Sequence, residues 1–285
     1  MIIDTIVGVD DFRQCKALLG KESKWEIWLE HYYSHYANVF DMFLKRLYLA
    51  ELESWREHVE MLDFDAALKT AEKFLHEDGV KHTENLLAMA ERICPIDTNY
   101  VLYLLIGLGH VDGTVMVVSP PFLYIGLERY VSSEQLEYLV PHEYNHLVRM
   151  TTLYDIEDTQ FQPTFGDIVI SEGLATFFSG WVHGMSMPSD LAKTLLMTGE
   201  NLEKCHEQRE MLFDQIFKLW NTSMSPTTYE TFGKYLFAAG SDSTTPFRSG
   251  YYVGNQIISD LVARKHDVVN LTKMPTTTIL ELYQS

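Results

Sequence analysis

Apolar side chains recur every three or four residues between about residues 23 and 93, and no proline interrupts this stretch. That spacing places them on one face of successive amphipathic helices. The clearest part of the stripe is aromatic and consists of Trp25, Trp28, Tyr32, Tyr36 and Phe40. Because aromatic stripes at helical spacing usually pack into a core, we predict a helical N-terminal region over residues 1–95.

The pattern changes at Cys94-Pro95, after which short runs rich in β-branched and aromatic residues are separated by turn residues. The runs are "YVLYLLIGL", "TVMVVS" and "FLYIGL", and the breaks between them are "GHVDG" and Pro120-Pro121. Runs of this length between glycines and prolines are typical of strands. They predict a small sheet of two or three antiparallel strands that ends near Leu127.

Helical spacing returns after the predicted strands. Ser132 or Ser133 can cap a helix that contains residues 142–150, with Pro141 either kinking it or lying in the first turn of a restarted helix. The run "IVISEGLATFFSGWV" predicts a largely buried helix, and tracts at about 188–221 and 250–265 predict further helices. We therefore predict a mostly helical α+β fold, with the small antiparallel sheet packed on the helix of residues 142–150.

Composition narrows the classes of partner. Of the 285 residues, 46% are hydrophobic and 22% are charged, which fits one large globular domain or an unequal pair of domains. The formal charge of -18 repels phosphate backbones and anionic membrane surfaces, so we expect no nucleic acid partner. The oligomeric state does not follow from the sequence.

The cysteines and the N-terminal residues bear on location. Cys15, Cys94 and Cys205 are scattered and lack Cys-x-x-Cys spacing, which favours a reducing compartment. The first residues include Asp4 and no basic stretch, unlike a signal peptide. The longest apolar run contains glycine and is much shorter than a bilayer requires. We predict a cytoplasmic protein without membrane insertion.

The stretch with candidate chemistry is "PHEYNHLVRM", residues 141–150. Residues four apart on a helix lie on the same face, so His142 and His146 can direct ring nitrogens at one metal ion. Glu143 points about 100 degrees around the helix, where it can hydrogen-bond a water on the metal as a general base. Because His-Glu-x-x-His arises in roughly 3 of 100 shuffled sequences of this composition, a third ligand is needed as a check.

Glu172, in "ISEGLA", supplies that third ligand. Catalytic zinc takes three protein ligands and leaves one position open, and a lone carboxylate on an apolar helix is otherwise costly to bury. Gly173 removes a side chain where this helix and the motif helix must approach to share one ion. The alternative is that Glu172 only occupies a favourable position near a helix N-terminus.

Together, "HEYNH" and "SEGLA" resemble the gluzincin clan of zinc metallopeptidases, whose aminopeptidases carry a similar Asn-Glu-Gly-Phe-Ala motif. More narrowly, the arrangement resembles a group of bacterial predicted zinc-dependent proteases that form a domain family of unknown function. The resemblance covers residues 99–182 and implies a zincin-like catalytic domain, which we place at residues 96–285. It also implies that His142, His146 and Glu172 are the metal ligands and that Glu143 is the catalytic base.

The chain departs from the clan pattern at the position that would orient a ligand histidine. Many members carry an acid four residues after the third ligand to orient a ligand histidine, whereas this chain has Thr176. Asp167 is then the nearest acidic candidate for that task, and its alternative role is to cap the helix of Glu172. Asn145, inside the motif, is expected to face solvent.

Peptide hydrolysis also needs a donor for the oxyanion, commonly a downstream tyrosine or histidine in this clan. The stretch "RSGYYVGNQI" offers Tyr251 or Tyr252, and Arg248 could hold a carboxylate or transition-state charge. Both tyrosines could equally be packing residues. His183 and His206 are weaker alternatives for the donor.

These observations predict a zinc-dependent peptidase that binds one Zn2+ per chain and acts on a peptide or protein substrate. Glu143 would take a proton from the attacking water and pass it to the leaving amine, while zinc and Tyr251 or Tyr252 stabilise the oxyanion. Two alternatives stay open: a non-catalytic zinc-binding scaffold or regulatory protein, and a zinc hydrolase of a non-peptide amide or ester. The presence of Glu143 favours activity over the scaffold.

Overall fold

The computed structural model of the chain describes residues 1–20, 23–48, 50–154, 162–184, 191–225, 227–236 and 244–285. The strands in this part of the chain are β1 (Ile2–Val7), β2 (Tyr100–Leu105), β3 (Gly113–Met116) and β4 (Phe122–Gly126). The α-helices in the same ranges are α1 (Val9–Ala17), α2 (Lys24–His31), α3 (Ala37–Met42), α4 (Arg56–Met61), α5 (Phe64–His76), α6 (Gly79–Ile93), α7 (Ser133–Leu153), α8 (Phe165–Val182), α9 (Leu191–Thr194), α10 (Gly199–Glu207), α11 (Arg209–Leu219), α12 (Tyr229–Leu236), α13 (Ser249–Ala263), α14 (Val268–Thr272) and α15 (Thr276–Gln284). Short 3₁₀ helices lie at Tyr33–His35, Leu52–Trp55 and Leu127–Arg129, and a π-helical segment lies at Phe43–Tyr48.

This architecture confirms the predicted class, a mostly helical α+β fold. The predicted tract 250–265 is α13, and the predicted tract 188–221 contains α9 to α11. The first three residues of that second tract lie outside the described residues. None of the described helices is long and apolar enough to span a bilayer.

The sheet has the strand order β1-β2-β4-β3, and its pairing differs from the prediction. Only β3 and β4 are antiparallel, whereas β2 pairs in parallel with both β1 and β4. The prediction of a wholly antiparallel sheet was therefore wrong, although the three predicted strands are in place. All six residues of β2 are buried, and strands with such continuous apolar runs are typical of parallel sheets covered on both faces.

Strand β1 was not predicted, although its sequence carried a signal. Five of its six residues, "IIDTIV", are β-branched, which is the composition that fits a pleated strand. The strand pairs with β2 from Ile2 opposite Tyr100 to Val7 opposite Leu104. The helices between β1 and β2 provide the long crossover that a parallel pair requires.

The described chain divides into two compact units. The first unit is formed by Met1–Asn85, Asn99–Met116 and Pro120–Leu136, and the second by Leu86–Thr98, Val117–Ser119 and Glu137–Ser285. The sheet lies in the first unit. The predicted division into a helical region, 1–95, and a catalytic domain, 96–285, stays a prediction.

The first unit has an aromatic core, as the helical spacing predicted. The side chains of the stripe from Trp25 to Phe40 are buried, and Tyr32 has no exposed surface. The ring of Phe12 lies 5.1 Å from that of Tyr32 and 4.9 Å from that of Phe64, in the edge and tilted arrangements that aromatic pairs prefer. This core joins α1, α2 and α5.

The second unit contains the motif helix α7 from Glu137 onward, and this part runs through Pro141 without restarting. A proline leaves the carbonyl four residues earlier without its helical hydrogen bond, and here that carbonyl belongs to Glu137. Nε2 of His183, just after α8, lies 2.6 Å from the Glu137 oxygen and takes the place of the missing amide. This contact lets a helix with an internal proline stay continuous as far as the motif.

Candidate metal centre

Two helices of the second unit bring the predicted ligands together. His142 and His146 lie four residues apart on α7, and Glu172 lies in the middle of α8. Nε2 of His142 is 3.1 Å from Nε2 of His146 and 3.1 Å from Oε2 of Glu172, and Nε2 of His146 is 3.3 Å from the same oxygen. The three atoms form a nearly equilateral triangle.

This triangle has the dimensions of a zinc site. Zinc bonds of about 2.0–2.1 Å in a tetrahedral arrangement place neighbouring ligand atoms about 3.3 Å apart, close to the three distances above. His142 is buried and the other two residues are partly exposed, so the cluster is reachable from one side. Two imidazoles and one carboxylate are also the donor set of a catalytic zinc with an open fourth position.

The charges of the three groups are coupled. Burial lowers the pKa of His142 to about 4, although its hydrogen bond with Glu172 acts in the opposite direction. Burial also lowers the pKa of His146, but the negative charges of Glu172 and Glu143 outweigh it and leave that pKa above its usual value. Burial would raise the pKa of Glu172, yet the two histidines hold it well below its usual range. An ionised Glu172 and a neutral His142 are the states that bind a metal.

Behind the cluster, Ser171 supports His146. The hydroxyl of Ser171 lies 3.0 Å from Nδ1 of His146, so the ring nitrogen facing away from the cluster is held by the residue next to Glu172. Asp167 was the acidic residue predicted to orient a ligand histidine. Instead, Oδ2 of Asp167 accepts hydrogen bonds from both the amide and the hydroxyl of Thr164, which makes Asp167 part of a capping box at the start of α8.

His142 and Thr176 each have a buried polar atom that lacks a hydrogen-bond partner within the described ranges, namely Nδ1 and Oγ1. The contacts of His146 with Ser171 and of Glu137 with His183 show that α7 and α8 run antiparallel. That register places Thr176 level with His142, one turn beyond Glu172.

Of the two tyrosines that the sequence could not separate, Tyr251 lies at the cluster. Its ring stacks on that of His142 at 6.1 Å with an angle of 13°, and the negative charge of Glu172 acts on its hydroxyl. The hydroxyl of Tyr252 instead lies 2.9 Å from Nδ1 of His206. Because consecutive helical residues point about 100 degrees apart, α13 can direct only one of them at the cluster.

Electrostatics keep the phenol of Tyr251 protonated. Burial, followed by the negative charge of Glu172, raises its pKa well above the usual value, against the opposing charge of Arg248. The negative charge of Glu143 adds to the increase, as it does for His146. Glu143, itself 6% exposed, therefore has its carboxylate within electrostatic range of both rings. A protonated phenol beside the cluster is a hydrogen-bond donor.

Gly173 has a different partner from the one predicted. A Cβ on Gly173 would lie 2.2 Å from the carbonyl carbon of Gly254, and one on Gly254 would lie 2.0 Å from the oxygen of Val169. The close approach is thus between α8 and α13, not between α8 and the motif helix. It brings the helix of Glu172 against the helix that carries Tyr251.

Asn145, expected to face solvent, is fully buried, and that prediction was wrong. Its amide donates to the hydroxyl of Thr272 at 2.9 Å. The buried guanidinium of Arg149 donates to the carbonyls of Thr272 and Met274 at 3.1 and 2.7 Å and to the hydroxyl of Thr276 at 3.0 Å. Arg149 lies about one turn beyond His146 on α7. We call Asn145 and Arg149 together the anchor face.

Sequence reasoning missed Ser171 and the anchor face. Ser171 had only its position next to Glu172 to mark it, and Arg149 had no signal in the sequence, because its partners are mostly backbone carbonyls. His183 and His206, the weaker candidates for an oxyanion donor, contact Glu137 and Tyr252.

The fold and the ligand set define a mostly helical α+β protein with a candidate three-ligand zinc centre. Residues 110–281, more than half of the chain, match the family described as Predicted Zn-dependent protease (DUF2268). The chain belongs to this family, which agrees with the narrower resemblance inferred from the sequence. No curated protein and no solved structure matches the chain.

Proposed function

We propose that this protein is a zinc-dependent metallopeptidase of the gluzincin type that hydrolyses peptide bonds. The observation that carries the proposal is the triangle of His142, His146 and Glu172 with zinc-like spacing, next to a carboxylate and a phenol. Membership of a family of predicted Zn-dependent proteases supports it. The cytoplasmic location predicted from the sequence stays a prediction.

In this proposal, the three ligands hold one zinc ion per chain. When bound, zinc supplies Lewis acidity that brings the pKa of a water toward neutrality and polarises a carbonyl. The contact of His146 with Ser171 fixes which ring nitrogen of His146 faces the ion. The ionised state of Glu172 provides one negative charge toward the metal without prior loss of a proton.

Glu143 is the proposed general base. It follows His142 on α7, so its carboxylate projects beside the ligand direction rather than along it. From there it would accept the proton of the attacking water and return it to the amine that leaves. Its burial at 6% exposure keeps bulk water from competing for that proton.

Tyr251 is the proposed donor to the oxyanion. Burial and the negative charge of Glu172 raise the pKa of its hydroxyl, so the proton stays on the phenol and is available to a developing negative charge. The stacking of its ring on His142 holds the phenol in place before the substrate arrives. Tyr252, engaged with His206, is not proposed for this task.

The test separates metal binding from turnover. Purified protein is expected to contain about one zinc per chain, and to cleave members of a random peptide library. Glu143→Gln should keep the zinc and lose turnover by at least about a hundredfold, because general bases contribute that much or more. His146→Ala should lose both, because it removes one of the three ligands.

Glu134→Gln on the exposed first turn of α7 is the matched control, and it should keep both zinc and activity. Turnover in Glu143→Gln equal to that of wild type would remove Glu143 from the mechanism. Zinc retained without cleavage of any peptide would favour the scaffold or the hydrolase of non-peptide amides and esters.

A further inference from the structure

Arg248 lies one aromatic ring away from the metal ligands. Its guanidinium carbon is 5.1 Å from the ring centre of Tyr251, and that ring stacks on His142. The ring of Phe247 lies at the same distance from the guanidinium, and one N–H donates to the carbonyl oxygen of Leu195 at 3.2 Å. The cation is therefore held from several sides beside the proposed active site.

The backbone of Arg248 is strained. Its φ of 53° and ψ of 31° are left-handed, a conformation that is unfavourable for a residue with a side chain. The preceding residue is clamped by Asn201, whose side chain accepts from the amide of Phe247 at 2.9 Å and donates to its oxygen at 2.7 Å. Conformations of this kind persist where the surroundings hold them, and they cluster at functional sites.

The position of Arg248 in its helix is also electrostatically unfavourable. It is the residue that precedes α13, where the helix dipole disfavours a cation and favours an anion. Ser249, the next residue, is fully buried, and its hydroxyl has no hydrogen-bond partner among the described residues. Arg248, the N-terminus of α13 and the hydroxyl of Ser249 follow one another along the chain. An anion would interact favourably with all three.

Two other arginines of this unit have structural roles and can be compared with Arg248. Arg149 is buried and gives its N–H groups to carbonyls and a hydroxyl. Arg264 follows α13, so the dipole favours its charge; it lies 5.7 Å over the ring of Tyr283 and donates to that residue's oxygen at 3.1 Å. Arg248 makes the same kinds of contact as Arg264, but at the unfavourable end of the helix and beside the cluster.

We infer that Arg248 binds a carboxylate of the substrate beside the metal cluster, either the C-terminal carboxylate of a peptide or that of an acidic side chain. This inference rests on the proposed peptidase function. The anion of an unmodified peptide is a carboxylate, and a guanidinium matches it with two parallel hydrogen bonds. With zinc bound, the charges of Glu143 and Glu172 balance that of the ion, so Arg248 would supply the net positive charge that attracts a substrate carboxylate.

The test compares peptide mixtures that differ only in charge. Three acetylated random mixtures are used: one with free C-terminal carboxylates, one of C-terminal amides without Asp or Glu, and one of amides with Asp and Glu. Binding is measured on zinc-loaded Glu143→Gln protein, and hydrolysis on the protein with Glu143 intact. Wild-type Arg248 should favour at least one carboxylate mixture over the neutral one by about tenfold, the usual effect of a charged hydrogen bond.

Arg248→Gln should remove this preference, and Arg248→Lys, which keeps the charge but not the fork, should retain part of it. Arg264→Gln, at the other end of α13, should leave it unchanged. Which of the two carboxylate mixtures is preferred identifies the source of the carboxylate.

Equal losses for all three mixtures in Arg248→Gln would overturn the inference, because they would show that Arg248 only positions Tyr251 or holds transition-state charge. No preference in the wild type would overturn it as well. Because N-acetylation blocks aminopeptidases, the proposed function is contradicted only by a protein that cleaves neither these mixtures nor the random peptide library, whereas the binding measurement would still decide the role of Arg248.

Discussion

Two sets of polar residues on α7 serve different purposes. In the ligand set, His142 and His146 meet the carboxylate of Glu172 on the adjacent helix α8. In the anchor face, Asn145 and Arg149 meet hydroxyls and carbonyls of Thr272 to Thr276, more than 120 residues along the chain. The ligand set gathers ionisable groups, whereas the anchor face donates hydrogen bonds to neutral oxygens and leaves Oδ1 of Asn145 and Nε of Arg149 without a partner among the described residues.

The two sets differ in their effect on the free energy of unfolding. Three ionisable groups close together and mostly removed from water are costly without a bound cation, so the ligand set depends on a metal for stability. The anchor face contributes hydrogen bonds from a cation to neutral oxygens, which stabilise the fold with or without metal. Substitutions in the two sets should therefore separate stability from metal affinity.

Arg149→Met should produce the largest loss of stability. Removal of the guanidinium leaves two carbonyls and a hydroxyl buried without their donor, and such losses cost about 3–5 kcal/mol. Urea unfolding of the metal-free protein measures it. Zinc affinity at low denaturant should not fall, because Arg149 makes no hydrogen bond to the ligands and its positive charge acts against a cation at His146.

Arg92→Met, at an exposed position of α6, is the matched control and should stay within about 0.5 kcal/mol of wild type. If Arg149→Met were as stable as the control, the anchor face would not carry the stability assigned to it.

Gly173→Ala should cost slightly less, about 3 kcal/mol, because its new methyl would meet the backbone of Gly254 at 2.2 Å and push α8 away from α13. Since Glu172 and Tyr251 lie on these two helices, zinc affinity should fall together with the unfolding midpoint. Gly199→Ala is the control: a Cβ there meets nothing within 4 Å, and stability should hold or rise. Equal behaviour of the two variants would contradict the close helix crossing.

The ligand set and the anchor face also differ in how far the sequence predicts them. Helical spacing and ligand chemistry predict His142, His146 and Glu172, because few residue types bind zinc and their partners are side chains. The partners of Arg149 are mostly carbonyls, which every residue has, so no pattern marks them. The choice between Tyr251 and Tyr252 depends on the rotation of α13, which the Gly173–Gly254 crossing fixes.

The fold likewise has features that the local sequence predicts and features that it does not. Apolar spacing predicts the helices and the aromatic core, because both are local consequences of side-chain order. Strand pairing depends on where a distant strand lies, so the parallel pairing of β1 with β2 does not follow from a local pattern. The continuous apolar run of β2, whose six residues are all buried, was a local indication of parallel pairing.

Ser171→Ala should weaken zinc binding by about tenfold with little change in metal-free stability, because partners that orient a ligand histidine contribute about ten- to a hundredfold. Thr176→Val should have a similar effect if its hydroxyl orients Nδ1 of His142 through one water. Competition with a chelator of known zinc affinity measures both.

Thr151→Val is the control for these two variants. Its hydroxyl bonds only to carbonyls of its own helix, at Leu147 and Val148, so zinc affinity should not change. A Thr176→Val protein with the zinc affinity of this control would leave His142 oriented by its packing alone.

His183→Ala should have the smallest effect, a loss of about 1 kcal/mol, because it leaves the Glu137 carbonyl without the donor that replaces the amide missing at Pro141. A double-mutant cycle sharpens the test. In Pro141→Ala, residue 141 regains its amide and can bond that carbonyl itself, so His183→Ala should then cost measurably less. Additive losses in the cycle would show that His183 stabilises the helix by packing on Tyr138, 6.0 Å away, rather than through the carbonyl.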